Sequence, residues 1–342
     1  MNRKFLSNVN SKLNTFFAKI NPFKKANLFL AIFLVVIIVS IVVSPDKYIS
    51  VALNAILVWA TNVLPALFPF MIFTRLLTAT GYVEKSSRLF SPITKKLYNA
   101  PAISSYVFLM SILSGYPLGA KLTADLYSQN KITRAEAHKI CCFTSNSGPM
   151  FIVGTVGVGM LVCPLAGYII LISHILSALL NGLIYRKYTT FELPNKKVFQ
   201  NKKSEDVLTE TMMSAVTSSL LVGGYIVIFF IITEVLSSLG AFVPFTNLLG
   251  KIGIETSLSN GIITGMFEMT KGCLLVSAST ASLATKTSVC ALLISFGGLA
   301  ISFQAFAFLN EFKISKKLFF LQKTTHAIIT FVICFLLSLL FL

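Results

Sequence analysis

The sequence predicts an all-α polytopic membrane protein that contains two inverted repeats and one extra N-terminal helix. Three observations support this fold class. The 342-residue chain has a mean hydropathy of +0.80 and only 12% charged residues, against about 25% in typical soluble domains. Its apolar stretches have the length of a bilayer crossing, which takes about 20 residues. Its two halves also share residues at a constant spacing.

Composition and spacing exclude several classes of function. The Lys and Arg residues that give the chain its net charge of +17 lie between the apolar stretches. They do not form a basic face with interleaved aromatic residues, so no nucleic-acid partner is expected. The six cysteines form no CxxC pair and the three histidines show no HExxH spacing, so neither a disulfide framework nor a metal site is predicted. There is no phosphate-binding loop and no nucleophile elbow, and we expect neither an enzyme nor a cofactor.

The apolar stretches follow one another with short polar loops between them. The basic residues 1–26 precede the first stretch, residues 27–43, which lacks a small-residue cleavage site and is predicted as an uncleaved span in preference to a signal peptide. The later stretches are 51–80, 101–127, 140–162, 164–185, 207–239, 258–283, 287–309 and 318–342. The basic residues 186–206 predict a cytoplasmic linker between a first repeat, 51–185, and a second repeat, 207–342.

Residues of the first repeat recur in the second. Phe70 matches Phe229 at an offset of 159 positions, and further pairs match at an offset of 150 positions. These pairs are Gly115 with Gly265, Lys121 with Lys271, Ser145 with Ser295, and Gly148 with Gly298. Chance identity is the alternative in apolar sequence, but Gly and Lys recur here without a gap, which favours an internal duplication.

The Lys and Arg residues orient the chain, because cytoplasmic loops carry the excess of positive charge. If residues 101–127 crossed fully, Lys131, Arg134 and the basic linker would lie outside. Re-entrant hairpins at 101–127 and 258–283 place these loops inside. Each half then has three crossings, so the second half is inverted, as in many secondary transporters. The alternative is a plain bundle of full spans. We therefore expect a multi-pass cell-membrane protein with a cytoplasmic N-terminus.

A glycine- and proline-rich motif is expected to form the turn of the first hairpin. Such residues interrupt helical hydrogen bonding, and freed backbone in a bilayer must be buried in protein or line a watery cavity. The motif is Ser114-Gly115-Tyr116-Pro117-Leu118-Gly119, with Lys121 and Asp125 after it. Lys121 and Asp125 are four residues apart, so they would either neutralise one another on one helix face or contact a ligand.

A polar run in the following stretch predicts a helix that is broken within the membrane. The run is Thr144-Ser145-Asn146-Ser147-Gly148-Pro149. The N–H groups of the half-helix that begins here could bind an anionic or polar group, with Asn146 and Ser147 closest to it. Alternatively, the polar side chains join neighbouring helices and the glycines allow close packing.

Glu268 is the strongest single candidate for a binding residue. It lies in the second predicted hairpin, within Gly265-Met266-Phe267-Glu268-Met269-Thr270-Lys271-Gly272. An ionisable residue inside an apolar segment is costly and marks a functional site by default. The alternative is an ion pair with Lys271. Gly265 and Gly298 are the expected interruptions of this half. Other polar residues expected to be buried are Arg75, Glu234, Asn181 and Gln304, and Arg75 and Glu234 occupy equivalent positions where they could pair.

Three of these motifs, residues 114–121, 145–152 and 265–272, resemble the sporulation integral membrane protein family called YlbJ. The resemblance extends over residues 51–341. That family is grouped with proteins that carry the nucleoside-recognition or Gate domain, including concentrative nucleoside transporters. The resemblance implies a membrane protein required for spore cortex formation, with other sporulation membrane proteins as candidate partners. The ligand residues of the nucleoside transporters are not recognisable here, so the resemblance implies their architecture and not their substrate.

The sequence therefore predicts a transporter-like protein that moves a small polar solute across the lipid bilayer. A scaffold that recruits cortex-building enzymes without transport is the alternative, and an intramembrane enzyme has little motif support. The residues predicted to bind the solute are Ser114, Tyr116, Lys121, Asp125, Asn146, Ser147, Glu268, Thr270 and Lys271. The predicted helix breaks and hairpin turns involve Gly115, Pro117, Gly119, Gly148, Pro149, Gly265 and Gly298.

Overall fold

The structure is a computed structural model that describes residues 22–80, 82, 85, 88–188, 207–310 and 314–342. These residues are predominantly helical and include no β-strand, which confirms the predicted all-α class. Four of their helices are long and apolar enough to cross a membrane, and a bent pair, Leu28–Val43 with Pro45–Val63, would raise the number to five. The four are Pro164–Ile184, Thr211–Ser238, Leu283–Leu309 and Lys316–Phe341.

The chain divides into a small unit, Met1–Val51, and a large unit, Ala52–Leu342. Helix α1 (Pro22–Val43) is the apolar N-terminal helix, and most of its described side chains are exposed, as suits contact with lipid. Helix α2 (Pro45–Val58) begins directly after Ser44. The polar segment predicted between the first two spans, residues 44–50, is thus helical except for Ser44. Pro45 starts this helix, and proline is well suited to the first position of a helix.

In the large unit, a π-helical turn (Trp59–Val63) leads into helix α3 (Leu64–Ala79). Pro65 has no N–H, and its ring would clash with the carbonyl of Thr61 in a regular α-helix. The wider π-turn therefore lies where the proline disfavours α-helical geometry. This turn and the start of α3 place Val63 and Leu67 beside the cavity described below.

The rest of the first repeat contains one short helix, one helical hairpin, one broken helix and one long helix. Helix α4 spans Ser91–Tyr98. Hairpin 1 consists of helices α5 (Ser104–Ser114) and α6 (Leu118–Ser128). Broken helix 1 consists of helix α7 (Arg134–Thr144), the break at residues 145–149, and a π-helix (Met150–Met160). Helix α8 spans Pro164–Ile184.

The second repeat contains the same kinds of element in the same order. Helix α9 spans Val207–Ser238, and the short helix α10 spans Val243–Lys251. Hairpin 2 consists of α11 (Thr256–Phe267) and α12 (Met269–Ser277). Broken helix 2 consists of α13 (Leu283–Phe296) and α14 (Gly298–Leu309), and the chain ends in α15 (Lys316–Phe341). This recurrence agrees with the duplication that the matched residues predict.

The arms of the two hairpins are short. They contain 11, 11, 12 and 9 residues, which at about 1.5 Å per residue gives lengths of roughly 14 to 18 Å. A hydrocarbon core is about 30 Å thick, so no single arm can cross it. The arm lengths fit re-entrant hairpins, while the opposite orientation of the two repeats stays a prediction.

Two of the predicted helix interruptions lie inside regular helices. Gly265 is within α11, and the turn of hairpin 2 falls instead at Glu268, whose backbone is extended (φ −137°, ψ 109°). A Cβ atom at Gly272 would lie 2.2 Å from the Gly265 Cα. Gly119 is within α6, where a Cβ atom would lie 1.9 Å from the Thr144 carbonyl oxygen. These glycines therefore permit close packing of backbones and do not break their helices.

Three sequence predictions fall wholly or largely outside the described residues. The basic N-terminal segment is described only from Pro22, and the basic linker only to Tyr188. The side chain of Arg75 is also outside the described part of the chain.

Candidate functional site

The tip of hairpin 1 lies against the break in broken helix 1. Gly115 has φ +71°, a conformation that favours glycine. A Cβ atom at this position would lie 2.5 Å from the Gly148 backbone nitrogen. The two predicted interruptions therefore meet backbone to backbone, which explains why position 115 carries glycine.

Asn146 ties the break to the first arm of the same hairpin. Its Nδ2 donates to the Ser111 Oγ (3.0 Å) and to the Phe143 carbonyl oxygen (2.8 Å). Its side chain is 1% exposed and does not line the cavity between the tips. This geometry favours the structural alternative for Asn146, in which polar side chains join helices.

A small cavity of about 40 Å³ lies where both hairpin tips and both broken helices converge. This volume accommodates only a few water molecules, so the cavity is too small to hold a larger solute in this conformation. Its polar wall consists of Ser114, Tyr116, Ser147, Glu268, Thr270 and Gln304. Val63, Leu67, Phe151, Val222 and Ile226 contribute to its apolar wall.

A second cavity of about 300 Å³ adjoins the first. Ser114, Tyr116 and Val222 line both cavities, so these three side chains form the partition between them. Lys121 of α6 and Thr217 of α9 line only the larger cavity. Its volume is in the range of small-molecule sites in proteins.

Glu268 caps the second arm of hairpin 2. Its carboxylate Oε2 accepts a hydrogen bond from the Lys271 backbone N–H at 2.6 Å, and the residue is 2% exposed. The Lys271 ammonium is directed elsewhere, to the Glu234 Oε2 (3.2 Å) and the Thr233 Oγ1 (3.1 Å). The Glu268 carboxylate is therefore stabilised by a helix N-terminus. Glu234 thus pairs with Lys271, and its predicted pair with Arg75 stays a prediction because the Arg75 side chain is outside the described part of the chain.

Gln304 adds a second acceptor to the same wall. It lies on α14, is buried, and has no hydrogen-bond partner for its Oε1 atom in the described part of the chain. A buried amide oxygen without a partner is costly unless water or a ligand satisfies it. The wall of the small cavity therefore includes a residue whose amide oxygen no described group satisfies.

His174 of α8 connects the two breaks. The Ser147 backbone N–H donates to its Nε2 at 3.1 Å, so the other ring nitrogen, Nδ1, carries the proton and donates to the Ser295 Oγ at 2.7 Å. The His326 Nε2 of α15 contacts the His174 carbonyl oxygen at 3.2 Å, and the two rings are 4.7 Å apart. These histidines occupy equivalent helices of the two repeats.

Lys323 of α15 reaches the tip of hairpin 1. Its Nζ donates to the Tyr116 Oη (2.6 Å) and to the Ser145 carbonyl oxygen (3.0 Å). It also lies 4.6 Å from the centroid of the Tyr116 ring. The Tyr116 hydroxyl in turn donates to the Ile294 carbonyl oxygen at 3.2 Å. Tyr116 is therefore held between both broken helices and the last helix.

The structure brings together six of the nine residues predicted to bind the solute. Ser114, Tyr116, Ser147, Glu268 and Thr270 line the small cavity, and Lys121 lines the larger one with Ser114 and Tyr116. The others, Asp125, Asn146 and Lys271, lie outside the lining of both cavities. Asp125 is exposed on α6.

Sequence reasoning missed two residues of this site. It assigned no chemistry to His174, because the histidines are far apart along the chain, and it did not consider Lys323. Two signals were available. His174 and His326 are 152 positions apart, close to the repeat offset, and Lys323 is a cation near the start of the last apolar stretch.

Comparison with known proteins confirms the resemblance that the motifs predict. Residues 60–164 match the Gate family, described as nucleoside recognition. The sporulation integral membrane protein YlbJ of Bacillus subtilis is 29% identical over 337 residues, covering 90% of this chain and 82% of that protein.

A solved structure has a similar fold. It is that of a CNTnw variant, a concentrative nucleoside transporter, in an outward-facing state. The TM-score is 0.53 at 14% identity, and the match covers 94% of this chain and 88% of that one. At this identity the likeness concerns the fold alone. The chain is thus a multi-pass helical membrane protein that is similar to a sporulation protein and has a transporter-like fold.

Proposed function

We propose that this protein is a permease for a small polar solute in a membrane of the developing spore, where it serves cortex formation. The observation that carries the proposal is the convergence of both hairpin tips and both broken helices on one small cavity that is lined by the buried residue Glu268. A buried ionisable group in a membrane protein is expensive and is usually kept for function.

The chemistry of the small cavity favours a solute that donates hydrogen bonds. The Glu268 carboxylate can only accept, the Gln304 amide has an accepting oxygen and a donating NH2 group, and the hydroxyls of Ser147 and Thr270 can do either. One N–H group at the break, that of Ser147, is already taken by His174. We therefore favour a neutral or cationic solute with several hydroxyl or amino groups over the anionic one that a half-helix N-terminus alone would suggest.

Access to this cavity would come through the larger one. Ser114, Tyr116 and Val222 separate the two cavities, so movement of the hairpin 1 tip would join them into one path. In this proposal the two repeats are inverted, the N-terminus is cytoplasmic, and the broken helices alternate access to the shared site. Tyr116 is the side chain whose displacement opens the path.

Thiol accessibility tests the proposal against a scaffold without a solute path. Thr270 lines the cavity, whereas Thr330 on α15 is equally buried and does not. We would introduce Thr270→Cys and, as the matched control, Thr330→Cys, with Cys163 changed to serine because the other native cysteines are buried. A small, membrane-impermeant thiol reagent should label only the Thr270 variant. Equal shielding of both positions in every condition would refute a water-accessible path.

Reconstitution supplies the second test. Liposomes that contain the purified protein should take up labelled polyols or amino sugars faster than empty liposomes. They should not take up matched anionic solutes. No flux of any such solute, together with normal sporulation of a Glu268→Gln strain, would favour the scaffold.

A further inference from the structure

We infer that the Lys323 ammonium is a tethered cation that fills a cation site between the hairpin 1 tip and the end of α7. The closed arrangement therefore needs no bound alkali cation. This inference deepens the proposed function and rests on it for its meaning in transport. The site itself is defined by contacts that do not depend on transport.

The first part of the site is the unwound end of a half-helix. Helix α7 ends at Thr144, and Ser145 follows as its C-cap. The carbonyl groups at such an end carry the negative pole of the helix dipole. In transporters with broken helices, unwound carbonyls of this kind hold the coupling cation. Here the Ser145 carbonyl oxygen accepts from the Lys323 Nζ at 3.0 Å.

The second part of the site comes from the tip of hairpin 1. The Tyr116 Oη accepts from the Lys323 Nζ at 2.6 Å, and the ammonium lies 4.6 Å from the centroid of the Tyr116 ring. Aromatic rings attract cations at this distance. The Tyr116 hydroxyl uses its own proton for the Ile294 carbonyl oxygen, so its lone pairs face the ammonium. Two oxygen atoms, those of the Ser145 carbonyl and the Tyr116 hydroxyl, thus converge on a single positive charge at the hydroxyl edge of the ring.

The burial of Lys323 indicates more than an ordinary surface lysine. It is 3% exposed, and no carboxylate lies within ion-pair distance of its Nζ among the described residues. Burying a charge without a counterion is unfavourable unless dipoles and hydrogen bonds replace water. The carbonyl and the hydroxyl supply part of that replacement, and oxygen atoms of this kind are the ligands that hard cations prefer.

The second broken helix shows the contrast. Position 171 of α8 is equivalent to position 323 of α15 at the offset that relates His174 to His326, and it carries leucine. At the end of α13, the Ile294 carbonyl oxygen accepts from the neutral Tyr116 hydroxyl. In these described contacts, the end of broken helix 1 receives a lysine ammonium, whereas the Ile294 carbonyl oxygen of α13 receives a neutral hydroxyl.

Cation-dependent thermal stability tests this inference. The full chain would be purified in detergent, and its melting temperature measured in choline chloride and in sodium, potassium and ethylammonium chloride at equal ionic strength. The wild type should melt at the same temperature in all four salts. Lys323→Ala should melt roughly 5 °C lower in choline chloride. Sodium or ethylammonium should restore part of that loss, because both fit the vacated site and choline does not.

Two further variants complete the design. Lys317→Ala removes an exposed cation from the same helix and should respond to none of the salts, which controls for net charge. Lys323→Arg keeps the tethered cation and should behave as the wild type does. A Lys323→Ala protein that melts at the same temperature in every salt would overturn the inference. So would a wild type that sodium stabilises by several degrees over choline, and this result is obtainable even if the alanine variant does not fold.

The two proposals can fail separately. None of these measurements involves a solute, so a protein that transports nothing would still show the tethered-cation behaviour. Conversely, a protein that takes up a solute in liposomes but is stabilised by sodium would retain the proposed function and lose this inference.

Discussion

The two hairpins share one plan and differ in where their charge comes from. Each has two short arms and a glycine-mediated contact with a broken helix. The hairpin 2 tip carries its own charge, Glu268, within the chain. The hairpin 1 tip carries none, and its positive charge arrives from Lys323 on the last helix. The two tips that line one small cavity thus differ in charge, because one carries a carboxylate and the other is held by a cation.

The two hairpins also differ in the ion pairing of Lys121 and Lys271, which occupy equivalent positions in the sequence. Lys271 is paired with Glu234 of α9. Lys121 lines the larger cavity and makes no hydrogen bond or ion pair with any described carboxylate. The residue equivalent to Glu234 in the first repeat is Arg75, so that repeat has no carboxylate at the corresponding position. A carboxylate therefore neutralises Lys271 in hairpin 2, whereas Lys121 of hairpin 1 places a positive charge at the proposed entry path.

The largest expected effect concerns a glycine in each hairpin at which the backbone packs closely, against α7 in hairpin 1 and between the two arms in hairpin 2. Gly272→Ala and Gly119→Ala each place a Cβ atom within 2.2 Å or less of backbone atoms. Backbone cannot rotate away as a side chain can, so each change should destabilise the protein by about 3 kcal/mol. Thermal unfolding in detergent measures this. Gly224→Ala, which meets nothing within 4 Å, is the control and should be neutral or slightly stabilising. Equal melting temperatures for all three variants would contradict the shared packing.

The next effect tests the anionic tip. Glu268→Gln keeps the shape of the side chain and an oxygen to cap α12, but it removes the negative charge. We expect solute flux to fall by about tenfold to a hundredfold, the loss of one charge-assisted hydrogen bond. The melting temperature should change by only a few degrees. Flux in liposomes and the yield of heat-resistant spores measure the effect. A variant that sporulates normally would assign Glu268 a capping role alone.

A smaller effect on stability is expected from the ion pair between Lys271 and Glu234. Glu234→Gln removes the partner of Lys271 in a pair whose side chains are 16% and 26% exposed. Such a partly exposed pair is worth about 0.5 to 1 kcal/mol, so the melting temperature should fall by a few degrees. A double-mutant cycle with Lys271→Gln isolates the interaction. A coupling energy near zero would show that hairpin 2 does not depend on this pair.

The smallest effect on stability is expected at the equivalent lysine. Lys121→Gln changes a residue at the wall of the larger cavity that has no described ion pair to lose, so its effect on unfolding should stay below about 0.5 kcal/mol. Its effect should appear in selectivity. Flux of cationic solutes should rise relative to neutral ones, because a positive charge has been removed from the proposed entry. Unchanged selectivity would remove Lys121 from the path.

Sequence reasoning placed the local features of the site well and the long-range ones poorly. It placed the turn at Gly115 and Pro117 and the break at Gly148 and Pro149, because both rest on residues that disrupt helical hydrogen bonding wherever they occur. It placed the turn of hairpin 2 at Gly265, where glycine serves packing instead. A glycine that breaks a helix and a glycine that admits a neighbouring backbone look alike in sequence.

The amino-acid sequence by itself determined that this chain is an all-α membrane protein and predicted two related halves, because hydrophobicity, charge and repeat spacing can be read along the chain. Only the tertiary structure decided which polar groups meet. Lys323 reaches Tyr116 across 207 positions, and His174 reaches Ser295 across 121. Such contacts depend on how helices pack and rotate about their axes, which no local pattern encodes. The charge asymmetry of the two hairpins therefore arises from packing, although every residue that produces it is visible in the sequence.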